Sequence, residues 1–477
     1  MDQRNSLKEK ELKHLVEEAK KHPELFKRTN WIENNKSLRR FGIYIQGKDA
    51  LPTGYIKFRP EDFIVEEILP NGEACDISYE NLLTSETQIE TSPTIYATLV
   101  KCGLSTLEVI EDMARQLNCA TKLIQYGGIK DKDAITSQRI SFRNIPLENI
   151  KKIKSQYFFL KGVGAGKGVA EKGKILGNKF TIFIRTGESF FSDECRNTFV
   201  RNLESVVKNG FYNFYYLQRF GTPRLNNYLW ALEIIKGNYE QAVRSFLTYQ
   251  AERELPYFKQ LRAGVKNNFG DWHKIKAIIA PFPLAMRNEN RVVDYLISNP
   301  ADYIGAFREI SDQITLWVYA LSSWLFNTKI SGLIESSRAI PETLPLFLSH
   351  DSRDWMAYKE LLAYLDILPP PFENLRPFSF IQLDRREIKT RERVKLIGAD
   401  VTNEGLALSF ELKTGDYATT LLAHLFNLIT GKPPENLNPG PVDVKKVLGQ
   451  DPGARTFEYF KPIIHSKAED IFLTGTQ

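Results

Sequence analysis

The hydrophobic pattern changes period several times along the chain. Leu7, Leu12 and Val16 recur roughly four apart among charged residues, which predicts an amphipathic helix in a charged extension over residues 1–38, with Pro23 marking its end. Such an extension is either a solvated accessory helix or a contact for a partner. From 39 to 235 the pattern turns mixed. The runs FGIYI (41–45), DFIVEEI (62–68), TIYATLV (94–100) and KFTIFIRT (179–186) are rich in β-branched and aromatic residues and predict strands. Between them, Leu107, Ile110, Met113, Ala114 and Leu117 form one apolar stripe, which predicts a helix from Thr106 to Leu117.

Residues 236–385 read as a mostly helical insertion. Helical patterns cover Tyr239–Gln250, Val292–Asn299 and Thr315–Asn327, and four of the six tryptophans (Trp272, Trp317, Trp324 and Trp355) concentrate here. Proline-rich breaks at Pro281–Pro283 and Pro369–Pro371 interrupt the segment. Strand character returns after 386 in RVKLIGADVT and LALSFEL, followed by a predicted helix through Ala418–Leu428. The Pro/Gly/Asn-rich stretch GKPPENLNPGPV then leads into a tail expected to be irregular, so 386–477 reads as the second part of the first domain plus that tail. The fold class is α+β: a mixed-sheet domain interrupted by a helical one.

Composition narrows the function classes. The chain has 477 residues, 42% hydrophobic and 26% charged, which excludes wholesale disorder, collagen and coiled coil. Lys plus Arg minus Asp plus Glu is 64 − 58 = +6, which permits a polyanionic partner without requiring one. Four cysteines without a C-x-x-C pair and six scattered histidines without H-E-x-x-H give no disulfide framework and no metal motif. The charged start lacks the apolar core of a signal peptide, and the longest uncharged run, Gln313 to Thr328, is too short and too polar to span a membrane. The expectation is a reduced, cytoplasmic monomer with no membrane contact and no metal.

Four segments carry candidate chemistry. GVGAGKG (162–168) fails both the Walker and the dinucleotide spacing, and reads as a flexible basic loop with Lys161, Lys167, Lys172, Lys174 and Lys179. It is either a solvated hairpin loop or a backbone-phosphate contact. KFRPEDFIVEEI (57–68) joins a lysine to a Pro-Glu-Asp turn and a strand. In YGGIKDKDAITSQRISF (126–142) two glycines lead into Asp131, at a turn between strand-like pieces. A carboxylate beside positive charge stays ionised and can serve as nucleophile or base, whereas most turn aspartates only satisfy nearby backbone donors. NFYYLQRFGTPR (213–224) mixes amide, aromatic and guanidinium groups that suit either a splayed-out RNA base or a buried core strand.

In this order, the last three segments resemble the TruD family of pseudouridine synthases. Lys57, Pro60, Glu61, Asp62, Phe63 and Glu66 match the family's first motif. Gly128, Lys130, Asp131, Ala134, Thr136 and Gln138 match its Gly-x-Lys-Asp-x-x-Ala-x-Thr-x-Gln motif. Asn213, Gln218, Arg219, Phe220 and Gly221 match the third, while Gly177-Asn178-x-Phe180 and Gly415-x-Tyr417-Ala418-Thr419 match two shorter signatures. The chain departs from the family in having Tyr215 at the position of the ring that packs on the target base, Tyr216 where a glycine is usual, and Ala423-His424 where Arg-Glu is frequent.

The resemblance implies isomerisation of a uridine to pseudouridine in RNA, with tRNA and position thirteen of its D arm as the expected target and no cofactor. It implies Asp131 as the nucleophile or base and Lys57 as its cationic partner. Tyr215 is expected to stack on the extruded uracil, and Asn213 and Gln138 to hold the base or position the aspartate. Arg219 is expected on a phosphate or as a buttress of the pocket, and the helical insertion as the far wall of an RNA-binding cleft. Two other readings compete: a non-catalytic RNA-binding protein or chaperone on the same fold, and a metal-dependent nucleic-acid hydrolase, for which Asp131 and Asp133 alone are a thin basis.

Overall fold

Alternation along Phe63–Ile68 sets the architecture, because all six residues of this strand are buried and successive side chains point to opposite sides. Phe63 and Val65 enter one core, Ile64 another. The strand is therefore covered on both faces. The computed structural model describes residues 2–467, apart from 85, 90, 91, 172, 188, 189, 191 and 452.

Among the described residues eleven strands form the main sheet: β1 (Asn30–Ile32), β2 (Thr53–Tyr55), β3 (Phe63–Ile68), β4 (Thr94–Cys102), β5 (Ile124–Tyr126), β6 (Ile135–Arg143), β7 (Phe158–Gly166), β8 (Gly177–Arg185), β9 (Lys395–Thr402), β10 (Gly405–Lys413) and β11 (Asn427–Gly431). Their order is β1-β11-β2-β8-β3-β6-β4-β7, with β10 also on β8, β9 on β10 and β5 on β6. The pairs β3–β6 and β2–β11 are parallel, and the remaining pairs are antiparallel. The mixed sheet and the helical stretch make the protein α+β, as the periodicity predicts.

One face of the sheet carries Phe63, Val65, Phe180, Ile182 and Phe410, packed beneath the helices of the insertion. Further along that face, Ile95, Leu99 and Ile140 pack against Val109, Ile110 and Met113 of the helix Thr106–Gln116. The opposite face buries Ile64, Ile135, Phe183 and Ala407 beneath Val444, Phe460 and Ile464. The stretch expected to be an irregular tail is thus half of a core, contributing the short helices Val444–Val447 and Ala454–Phe460. Lys445 reaches from it to the buried Glu66 at 2.6 Å.

Helices dominate from Asn227 onward. The helix predicted over Thr315–Asn327 runs from Ser311 to Glu335 and is buried on several sides, with Trp317 packed 4.9 Å from Trp230 on a neighbouring helix. Among the described residues no helix is long and apolar enough to cross a membrane.

Four local expectations are corrected. FGIYI (41–45) is not a strand, because its backbone groups are taken by side chains: Asn35 bonds both the N–H and the carbonyl of Ile45, and the Ser331 hydroxyl bonds Tyr44 N and Gly42 O. Residues 1–38 do begin with the predicted helix, which ends before Pro23, but it is not a solvated accessory element. The helix Asp2–Lys21 docks on the insertion, where the buried Glu11 carboxylate accepts from Leu284 N (2.7 Å) and Ala285 N (3.0 Å), and β1 joins the sheet edge. GVGAGKG is largely strand rather than flexible loop, since β7 runs to Gly166. Lys161, Lys174 and Lys179 are engaged with Asp76, Glu171 and Glu66, and Lys172 lies outside the described residues. The helix predicted through Leu428 stops at Ala423, because Asn427 starts β11, its amide bonded to the carbonyls of Lys48 and Leu51.

Candidate active site

The loop between β5 and β6 folds back over the sheet, and its shape follows from a few hydrogen bonds. Gly127 is required by space, since a Cβ there would sit 2.9 Å from Ile175 Cγ2. The fully buried Gln138 donates to Gly128 O at 2.8 Å and accepts from Thr106 Oγ1 at 2.9 Å. That hydroxyl in turn accepts from Lys130 N at 2.9 Å. The Lys130 side chain turns inward to Glu67 (2.9 Å) and Asn178 (2.7 Å). Lys101, buried at the end of β4, donates to the carbonyls of Asp131 (2.6 Å) and Leu104 (2.8 Å). Burial pushes this ammonium down to about 8, against the opposing pull of the nearby Asp131 charge.

This scaffold leaves the Asp131 side chain half exposed while Lys57 approaches it, Nζ to Oδ2 at 3.1 Å. Lys57 comes from the turn before β3. It holds a left-handed backbone (φ 55°), a strained geometry for a residue with a Cβ, and its ammonium lies 4.3 Å from the centroid of the Phe63 ring. Lys132, on the other side of Asp131, faces Glu108 at 3.6 Å. The expected partners Lys57 and Asp131 therefore meet. Gln138 is wholly buried with both ends of its amide occupied, by Thr106 Oγ1 and Gly128 O.

Tyr215 and Arg219 are stacked together, with Tyr215 packed against the core that contains Phe63, Phe180, Phe410 and Phe214. The Tyr215 backbone is fixed by Asn327, which donates to its carbonyl (2.8 Å) and accepts from its N–H (2.9 Å). Its ring packs edge-on to Phe326 at 5.6 Å, under the Arg219 guanidinium at 5.2 Å, and burial pushes its phenol up to about 12. Arg219 also donates to Tyr417 Oη at 3.2 Å, and Asn213 Nδ2 donates to Lys389 O at 3.2 Å. Tyr216 points the other way, into the core, where its hydroxyl donates to Glu33 at 2.5 Å. A cavity of about 410 Å³ lies behind this segment, between Trp31, Tyr216, Gln218 and Arg253; Asp131 is not part of its lining.

Sequence reasoning passed over Lys101, Glu67, Thr106 and Asn327. Lys101 had a signal, a lone cation ending an apolar strand run, and Thr106 lies inside a Ser105–Glu108 capping box. Asn327 had none, being one amide in a long buried helix. Among the described residues no three His, Cys, Asp or Glu side chains cluster as metal ligands would.

His424, in place of the frequent glutamate, sits among Phe211, Tyr212 and Phe214, stacked on the last at 6.1 Å. Its Nδ1 meets Thr420 O at 2.8 Å; part of the ring edge remains accessible, but Nε2 is covered and has no hydrogen-bond partner among the described residues. Burial, with Lys48 and Arg391 nearby, pushes the imidazole down to about 4. The unfolded chain then binds this proton more tightly than the folded one, so the contribution is complete above pH 6.5 and lost as pH falls from 6.5 toward 4. Urea unfolding should show His424→Phe losing less stability over that interval than the parent, by on the order of 2 kcal/mol after allowing for partial exposure.

Fold and site together define an α+β protein with a lysine-held aspartate on a glycine-led loop and, separately, a tyrosine packed under an arginine. The family profile tRNA pseudouridine synthase D (TruD) matches residues 42–346, and the chain belongs to that family. It is 31% identical over 286 residues to the "Probable tRNA pseudouridine synthase D" of Methanosarcina acetivorans, the match covering 59% of this chain and 60% of that protein. The similarly named Methanopyrus kandleri protein is 29% identical over 350 residues (69% and 84% covered). "Probable tRNA pseudouridine synthase D 2" of Methanocaldococcus jannaschii is 27% identical over 436 residues (82% and 94% covered). The chain thus spans about three-fifths of the length of the Methanosarcina acetivorans relative. A solved structure named for the tRNA pseudouridine synthase D of Methanosarcina mazei shares the fold at a TM-score of 0.62 and 23% identity, over 81% of this chain and 97% of that one.

Proposed function

We propose that this protein is an isomerase that converts a uridine of tRNA into pseudouridine, at position thirteen of the D arm. The observation that carries the reading is the 3.1 Å contact between Lys57 and the half-exposed Asp131, on a loop pinned at Gly128 O, Lys130 N and Asp131 O. The reaction breaks the bond between ribose C1′ and N1, turns the uracil and joins C1′ to C5; the C5 hydrogen leaves as a proton and N1 gains one. A single carboxylate suffices to attack the sugar or base, or to take the C2′ proton. Lys57 holds that carboxylate toward solvent, where an extruded nucleotide can reach it. Tyr215, held rigid by Asn327 and Phe326, offers a ring face for stacking at about 1–3 kcal/mol per base, enough to offset much of the cost of extrusion. Arg219, already bonded to Tyr417, buttresses that ring, and Asn213 lies at the rim for the base edge. The protein is proposed to act as a cytoplasmic monomer.

Tritium release from tRNA labelled at uracil C5 tests this directly. Release with accumulation of pseudouridine at a single site is the expected result. Tight tRNA binding without release would leave a non-catalytic RNA-binding protein instead.

A further inference from the structure

Two residues before Asp131, Ile129 stands 63% exposed at the crest of the loop. Its setting is rigid. Gly127 O accepts from Gly173 N at 3.0 Å, Gly128 O accepts from Gln138 Nε2 at 2.8 Å, and Lys130 N donates to Thr106 Oγ1 at 2.9 Å. The next residue, Lys130, is buried against Glu67, so the backbone turns one side chain inward and leaves the aliphatic one outward. Burial of such an apolar side chain is favourable, a gain the free protein forgoes at this position. Nearby Leu107, which follows the Thr106 that anchors the loop, is also exposed.

A base pulled out of its stack leaves a gap one base thick, and proteins that distort nucleic acids fill such gaps with rigid apolar side chains. Two residues of extended backbone reach about 7 Å, the scale on which a nucleotide's ribose stands from the middle of its own stack. We propose that Ile129 enters the RNA base stack in place of the extruded uridine, while Asp131 meets the ribose or ring of that nucleotide; this rests on the synthase reading above. The wedge raises the fraction of enzyme-bound RNA in which the uridine is out. It acts on turnover more than on affinity, since phosphate contacts supply most of the binding.

The test uses the full chain and a synthetic tRNA carrying 2-aminopurine beside uridine thirteen, whose fluorescence rises when its neighbour unstacks. Asp131→Asn protein should bind and produce that rise. Adding Ile129→Ala should cut the rise about tenfold while affinity stays within about threefold. In the active background Ile129→Ala should lower kcat about 10- to 100-fold, and Ile129→Leu should restore it to within about threefold. A full fluorescence rise in the double variant overturns the wedge. So does a kcat loss that leucine does not rescue, which would mark a loop defect. Wild-type protein that releases no tritium from labelled tRNA defeats the synthase reading separately, before Ile129 is touched.

Discussion

Asp131→Asn is expected to lower the isomerisation rate by at least about 10³-fold while tRNA affinity stays within several-fold, because the amide keeps the shape and loses the charge and the basic oxygen. The loop does not depend on this carboxylate. Its fixed points are Gln138 on Gly128, Thr106 on Lys130, Glu67 on the Lys130 ammonium, and Lys101 on the Asp131 carbonyl. The Lys57–Asp131 pair is itself partly solvated, with side chains 19% and 49% exposed, and pairs of that kind contribute about 0–1 kcal/mol. The variant should therefore melt within a few degrees of the parent. Tritium release and filter binding, run on one preparation, separate the outcomes. Substantial residual turnover would sink the assignment of Asp131. Loss of binding in parallel would mean the charge organises the RNA surface instead.

How much of this was legible in the sequence differs by element. The strand β3 could be read from its β-branched and aromatic residues, and the helix Thr106–Gln116 from its clean apolar stripe. FGIYI could not, since its apolar residues are buried but its hydrogen bonds go to Asn35 and Ser331, the latter nearly three hundred residues away. The tail was misread for a related reason: its helices are only a few residues long and are held by the sheet they cover. At the site, the family resemblance paired Asp131 with Lys57, but the motifs could not tell exposed chemistry from buried support. Gln138 and Asp62 stand in the same motifs as those two, yet both are wholly buried.

Asp62 shows where that support is strongest, and Arg185→Met is expected to destabilise the fold by about 3–5 kcal/mol. The two side chains are 1% and 0% exposed and pair bidentately, Arg185 Nε to Oδ2 at 2.8 Å and Nη2 to Oδ1 at 2.7 Å. Arg59 N also donates to Asp62 at 3.1 Å, and Arg185 reaches Asn438 O at 2.6 Å. Removing the guanidinium leaves a carboxylate in the interior with one backbone donor, at the point where Arg185 is paired with both Tyr55 of β2 and Gly405 of β10. Domains of ordinary stability have about 5–15 kcal/mol in total, so the loss should be plain in urea unfolding at neutral pH. Replacing both partners by apolar residues of similar volume, Asp62→Leu with Arg185→Met, should recover part of it, because the stranded charge is then gone. A double variant no better than Arg185→Met would mean that the bonds to Asn438 and Arg59, rather than the uncompensated charge, dominate. Because Asp62 immediately precedes Phe63, whose ring lies under the Lys57 ammonium, the single variant should also lose turnover in excess of its unfolded fraction. That excess ties the buried pair to the placement of Lys57 against Asp131, and its absence would confine Arg185 to holding the sheet.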